Sequence, residues 1–236
     1  MGRTLIIGDV HGCIAELDML LDQVALASDD AVVLVGDLVH KGPDSSAVIA
    51  LCMRLGARAV MGNHDDYLVR AIEARRKDIT WEGSESVWKL SKRIGDEHAA
   101  WLAARPLYLR LPELGAVVVH GGMVPGVPVE EQKREHLLSM RSVRADGTGT
   151  KKLEDGAPWG SLWPGPEHAY FGHDAVRGLQ RWDHATGLDT GCVYGGRLTA
   201  MLLPARELVS VPARKVYAEP GKQVAASHKR PENRRA

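Results

Sequence analysis

The chain has 236 residues, 30 Lys and Arg against 30 Asp and Glu, and a hydrophobic fraction of 44%. Balanced charge excludes bulk electrostatic attraction to nucleic acid or an anionic membrane, and the apolar fraction supports one large domain with a sizeable core. Three scattered cysteines, Cys13, Cys52 and Cys192, lack CxxC spacing, which excludes a disulfide framework or zinc ribbon and points to reduced thiols in a cytoplasmic protein. No apolar run reaches bilayer length, and the first residues lack a basic-then-apolar leader pattern.

Arg3 to Ile7 reads as a short buried strand ending in Gly8-Asp9-Val10-His11-Gly12. From Ile14 to Ala25, Leu17, Leu20, Leu21 and Val24 recur at helical spacing. Ala31 to Val35 is a second strand, ending in Gly36-Asp37. Ser45 to Leu55 is a second helix, with Asp44 as its N-cap. Ala57 to Met61 is a third strand, ending in Gly62-Asn63-His64-Asp65. Strand, polar loop and helix thus alternate three times, the pattern of an α/β sheet.

Residues 81 to 104 read as an inserted helical stretch, and Ala116 to Val119 as a strand ending in His120-Gly121-Gly122. Residues 123 to 167 are rich in Gly, Pro and charge, with few strong periods. Ala169 to Phe171 is a short strand ending in Gly172-His173. Strands near Leu188, Leu198 to Leu203 and Leu208 to Val211 suit a second sheet packed on the first. From Ala218 onward the chain is basic and poor in apolar residues, with five Lys or Arg and two Glu, which predicts a disordered tail over 218–236.

Five apolar strands therefore each end in a glycine-bearing polar turn, and those turns carry Asp9 with His11, Asp37, Asn63 with His64, His120, and His173. In an open α/β sheet the ligand site lies beyond the carboxyl ends of the strands, which places these turns along one edge. Carboxylate, imidazole and amide oxygen without thiolate suit hard-to-borderline divalent cations. Two such cations about 3.5–4 Å apart need a shared ligand. Asp37, between two groups of donors in chain order, is the natural bridge. Singly, each residue has an ordinary reading: Asp9 as a helix cap, Asn63 as a turn residue, His120 or His173 as a satisfied loop or core histidine. Their recurrence at successive strand ends is what favours a metal centre.

GDVHG, GDLVHKG, GNHD, VHGG and GH, in this order, resemble the calcineurin-like metallophosphoesterases, specifically the phosphoprotein phosphatase branch. The likeness covers residues 3 to 203. GDLVHKGPDS, the pair Met140-Arg141, and FGHDA followed by GLDTGCVYGGRLTA resemble the bacterial symmetrical diadenosine tetraphosphatases and the phosphatases akin to them. The resemblance implies two packed mixed β-sheets flanked by helices, an α/β sandwich over residues 1–217. It implies two divalent metal ions, manganese first, with cobalt, iron or zinc as alternatives. Asp9 and His11 would bind one metal, Asp37 would bridge, and Asn63, His120 and His173 would bind the other. His64 would protonate the leaving oxygen, and Arg141, with Lys41 and Asn63, would hold phosphate.

Two departures from the family pattern stand in His40-Lys41-Gly42. Lys41 offers a point charge where the family carries the bidentate fork of an arginine. His40 replaces an aspartate that orients the acid histidine in many protein phosphatases of the branch. The orienting partner is then expected from Asp65 or a backbone carbonyl. The implied reaction is hydrolysis of diadenosine tetraphosphate to two ADP by a metal-bridging hydroxide. A Ser/Thr or Tyr protein phosphatase, an RNA cap hydrolase and a non-catalytic metal-binding regulator are the competing readings. Trp159 and Trp163, in DGAPWGSLWPGP, either stack on a base or pack their loop.

Overall fold

In the computed structural model, which describes residues 2–221, the first apolar run forms β1 (Thr4–Ile7). Helix α1 (Ile14–Gln23), β2 (Ala31–Leu34), α2 (Ser45–Arg54), the short β3 (Arg58–Ala59) and α3 (Asn63–Arg76) follow. Between residues 81 and 104 lie α4 (Glu85–Ser91) and α5 (Asp96–Ala103). The second half holds β4 (Tyr108–Leu111), β5 (Ala116–Val119), α6 (Arg134–Ser139), and the short β6 (Ser142–Val143), β7 (Gly149–Thr150) and β8 (Ala157–Pro158). It closes with β9 (His168–Phe171), β10 (Gln180–Trp182), β11 (Ala185–Gly187), β12 (Arg197–Leu203) and β13 (Glu207–Pro212). The tail expected from Ala218 runs out of the described residues after 221.

One mixed sheet has the order β13-β12-β1-β2-β3, a second β10-β11-β9-β5-β4, and a small third sheet β7-β6-β8. The strands at 198–203 and 208–211 do not join the second sheet as the sequence suggested. Instead β12 runs antiparallel to β1, pairing Ile6 with Met201, and β13 pairs back on β12 as a hairpin. The apolar patterns of β12 and β13 suit either sheet; the free edge of β1, opposite β2, decides the matter. The second sheet takes β4, β10 and β11 in their place.

Period-two alternation sorts side chains into separate layers. In β1, Leu5 and Ile7 face α1 and α2, where they pack with Leu17, Leu20, Val48 and Ile49. Ile6 points the other way, into a layer between the sheets with Val33, Val35, Val118, Tyr170 and Met201. On the outer face of the second sheet, Val117, Val119 and Phe171 meet Trp159, Leu137 and Met140. Strands covered on both faces explain why the central runs are continuously apolar.

Asp44 caps α2 as expected, its Oδ1 accepting from the Ala47 N–H at 2.8 Å. Asp44→Ala should lower the unfolding free energy by about 1 kcal/mol. Urea titration should show an earlier midpoint at an unchanged slope; an unshifted midpoint would mean the cap contributes nothing in solution.

Candidate metal centre

The polar turns that follow β1, β2, β3, β5 and β9 interlock. The His11 N–H donates to the Asp37 carbonyl at 2.7 Å and the Gly12 N–H to the Leu38 carbonyl at 2.7 Å. The His64 N–H donates to Asp37 Oδ1 at 2.8 Å, and the His173 N–H to both oxygens of Asp9 at 3.2 and 3.1 Å. The turns close at a backbone cost: His11, Asp37 and His173 have φ of 47°, 50° and 69°, the left-handed region that non-glycine residues avoid. Two glycines permit the approach. A Cβ on Gly62 would collide with the Asp37 amide nitrogen and Oδ1, and one on Gly172 with Asp9 Oδ1.

Asp37 is the centre of the arrangement. His11 Nε2 lies 3.5 Å from its Oδ2, and His120 Nε2 lies 3.4 Å from its Oδ1. Asn63 Oδ1 sits 3.0 Å from His120 Nε2. Two groups of donor atoms, each within 4.8 Å of one another, could hold a cation: His11 with Asp37 and His64, and Asp37 with His120 and His173. Asp37 belongs to both. Asp9 is buried beside the His173 turn. The fold thus brings His11, Asp37, Asn63, His64, His120 and His173 together.

Backbone carbonyls set the histidine orientations. Nδ1 of His11 donates to the Val39 carbonyl at 3.1 Å, Nδ1 of His120 to that of Val35 at 2.9 Å, and Nε2 of His173 to that of Ser139 at 3.1 Å. Each ring is left with its other nitrogen for a ligand, the usual second-layer arrangement of metal-binding histidines. The donor set, free of thiolate, fits divalent cations.

Burial pushes His11 and His173 well below the ordinary imidazole range, with Lys41 and Arg141 respectively adding to the effect. Burial lowers His64 to about 4. Burial also opposes charge on His120, but the adjacent Asp37 outweighs it and raises His120 to about 9. Asp37 in turn is raised by burial yet held well below the usual carboxylate range by His120, His64 and His11. A cation on His120 Nε2 would therefore displace a proton. Asp9 is raised well above its ordinary value, by burial and by Asp189.

His11, Asp37, Asn63, His64 and His173 open on a cavity of about 100 Å³ that Lys41, Arg141, Asp189 and Tyr194 also line. Lys41 Nζ lies 3.4 Å from His11 Nε2 and 5.2 Å from the Tyr194 ring centre. Arg141 donates to the carbonyls of Lys151 and His173 at 3.3 and 3.1 Å, and its Nε, without a hydrogen-bond partner among the described residues, stands 3.8 Å from Asp174 Oδ1. Sequence reasoning gave Asp189 and Tyr194 no role. The signal was there: Leu188-Asp189-Thr190-Gly191 is one more apolar strand end turning through an acid and a glycine.

One expectation needs correction, and one pair of alternatives is decided. Asp65 does not orient His64: its carboxylate accepts the N–H groups of Leu38, Val39 and Gly62 at 3.0, 3.3 and 3.0 Å. The partner of His64 is His40 itself, with Nδ1 to Nδ1 at 2.9 Å. Trp159 is no stacking platform; it is 1% exposed and packs on Phe171, ring centres 4.6 Å apart. Trp163 packs edge-on against it and donates its Nε1–H to the Glu167 carbonyl at 3.0 Å.

Two mixed sheets with a carboxylate–histidine centre at their strand ends define a metallophosphoesterase. The family described as calcineurin-like phosphoesterase matches residues 2–195, and the chain belongs to it. It is 30% identical to an asymmetrical bis(5'-nucleosyl)-tetraphosphatase PrpE of Oceanobacillus iheyensis, over 90% of this chain and 93% of that protein. It is 32% identical to a symmetrical bis(5'-nucleosyl)-tetraphosphatase of Chromohalobacter salexigens, over 89% of this chain and 98% of that one. A solved structure provisionally assigned as a diadenosine tetraphosphatase superposes with a TM-score of 0.82 at 41% identity, covering 90% of this chain and 94% of its own.

The shared carboxylate yields a test. Asp37→Asn should remove both bound metal equivalents, whereas His173→Ala should remove one, as read by elemental analysis of dialysed protein. Full metal content in Asp37→Asn would exclude a bridging role.

Proposed function

We propose that this chain hydrolyses diadenosine tetraphosphate symmetrically, to two ADP, with two divalent cations, manganese or cobalt foremost. Asp9 and His11 would hold one cation, Asn63, His120 and His173 the other, and Asp37 both. When bound, the cations supply Lewis-acid activation of water and of the phosphoryl oxygens. The observation that carries the reading is the pairing, in one narrow cavity, of His11, Asp37, Asn63 and His173 with two cationic side chains, Lys41 and Arg141. A tetraphosphate bridge offers several negative charges for them to meet, whereas a phosphopeptide offers a single phosphoryl group.

His64 would give its proton to the oxygen that leaves. Burial favours its neutral form, and a bound polyphosphate, being anionic, opposes that by favouring the imidazolium. Expelling ADP from a β-phosphorus demands less of the acid than expelling a serine alkoxide. Lys41 and Arg141 offset charge on the equatorial oxygens. The buried, unlinked cysteines are compatible with the reducing cytoplasm in which we place the protein. Among the described residues no helix is long and apolar enough to cross a membrane.

A second reading is asymmetrical cleavage, which the name of the Oceanobacillus relative favours. Labelled diadenosine tetraphosphate separates the two: ADP alone is expected, and equal AMP and ATP would establish the asymmetrical reaction. A phosphopeptide or capped RNA turned over with the higher kcat/KM would overturn both. Exhaustive chelation should abolish turnover, and manganese should restore it. Lys41→Ala should lower kcat/KM for the tetraphosphate by about a hundredfold, through a higher KM and a lower kcat together.

A further inference from the structure

The cavity at the metal centre, about 100 Å³, has room for a phosphoryl group. It falls short of the roughly 300–1,000 Å³ in which proteins seat larger organic ligands. Most of a dinucleoside tetraphosphate must therefore lie outside it. Beside the cavity, between α6 and the β6–β7 hairpin, are two hollows of about 430 and 510 Å³. They share Glu135, His136, Arg144 and Gly149 as walls, so they form one groove.

Cavity and groove are built on the same segments. Arg141 lines the cavity, and its own N–H donates to the Thr150 carbonyl at 2.9 Å. Its guanidinium reaches the Lys151 carbonyl at 3.3 Å, and His173 Nε2 donates to the Ser139 carbonyl at 3.1 Å. Ser139, Thr150 and Lys151 line the first hollow, which is thus the one next to the metal centre.

The two hollows differ in chemistry. In the nearer one, Arg144, Lys151 and Lys152 face a single acid, Glu135. In the farther one, Lys133 and Arg144 are matched by Glu131 and Glu135, and Val124 and Val127 supply apolar wall. Positive charge falls away with distance from the metal centre, and apolar surface takes its place. A nucleotide needs cations at its phosphate end only, whereas a nucleic acid strand or a long polyphosphate would need them throughout. Both walls are held in place, as a preformed ligand site requires. The Gln132 carboxamide, buried, accepts the Val124 N–H and donates to the Val124 and Val127 carbonyls, each at 2.9 Å. The Arg144 guanidinium folds over its own hairpin turn, donating to Thr148 Oγ1 and the Gly149 carbonyl at 3.1 Å. Asp155, 3.6 Å from Arg144 and 3.8 Å from Lys152, offsets part of their charge and leaves Lys151 the freest of the three.

We propose that this groove seats one nucleoside end of the substrate. Lys151 and Lys152 meet the phosphates that follow the one in the cavity, and the hollow beside Val124, Val127 and His136 takes the base. The metal centre then supplies the chemistry, and the β6–β7 hairpin supplies the preference for a nucleotide over a bare phosphate ester. The assignment rests on the nucleotide reading of the site and on no particular cleavage position.

The test uses the full chain loaded with manganese and two probes, α,β-methylene ADP and inorganic pyrophosphate, with affinities read by calorimetry. The nucleotide should bind about tenfold tighter than pyrophosphate, because only its base reaches the apolar hollow. Val127→Trp, which fills that hollow, should abolish the advantage and leave pyrophosphate affinity as it was. Lys151→Ala combined with Lys152→Ala should weaken the nucleotide about tenfold. A further measurement needs no variant: photolysis with 8-azido-ADP, followed by peptide mapping, should place the label between residues 124 and 149. A label confined to other segments, a nucleotide bound no tighter than pyrophosphate, or an advantage that survives Val127→Trp would each overturn the proposal. Hydrolysis of diadenosine tetraphosphate is scored separately. Turnover with the label elsewhere would remove the groove and keep the function, and a labelled groove without turnover would do the reverse.

Discussion

The whole site hangs on one buried carboxylate. Asp37 is 2% exposed, takes the His64 N–H on one oxygen, and stands within 3.5 Å of a ring nitrogen of both His11 and His120. A charged group this deep is tolerated only with partners that favour the charge. Three imidazoles do this for Asp37, and they outweigh the burial that would neutralise it. Because each imidazole comes from a different turn, the carboxylate also sets the distances among those turns. Moving it by one residue in register would unmake every pair at once.

The two-sheet architecture is what brings the turns within reach of it. β1, β2 and β3 run parallel in one sheet, and β5 and β9 run parallel in the other, so the polar turns after them converge. The link between sheets is direct: the His120 ring, from the second, bonds the Val35 carbonyl at the end of β2 in the first. Left-handed backbone at His11, Asp37 and His173 costs of order 1–3 kcal/mol each. The apolar layers on either side are what hold the turns in that conformation.

Much of this was legible in the sequence because both the core and the donors follow local rules. Apolar runs of strand length ended in glycine-flanked acids and histidines, and the fold brings those turns close to one another. What the sequence hid was non-local. The hydrophobic pattern of Leu198 to Leu203 says that it is a buried strand, but not which sheet edge receives it. Helix α3 starts within the Gly62-Asn63-His64 turn itself, so no separate cap marked its beginning. Asp65 looked free to serve His64 until the structure showed it accepting three backbone N–H groups. His40 looked like a lost aspartate; its ring is nonetheless the side-chain partner of His64, which only the 2.9 Å contact reveals.

The acids around the centre give cations a reason to bind there. Asp9, Asp37, Asp65 and Asp189 are each 5% exposed or less. Burial raises Asp65 to about 7 and Asp189 to about 6, so the fold crowds carboxylates against their own preference. They are not equivalent. Asp65 is satisfied by three backbone donors and braces the Asp37 turn whether or not a cation is bound. Among the described residues Asp9 accepts only the His173 N–H, and it faces the like charges of Asp189 and Asp37. Lys41 and Arg141 are the nearby fixed cations, and Arg141 is already committed to two carbonyls. Divalent cations would resolve the repulsion among Asp9, Asp37 and Asp189, and they would bind the folded chain alone, since the unfolded chain scatters the donors. Metal affinity and folding stability are therefore two expressions of one balance of charge.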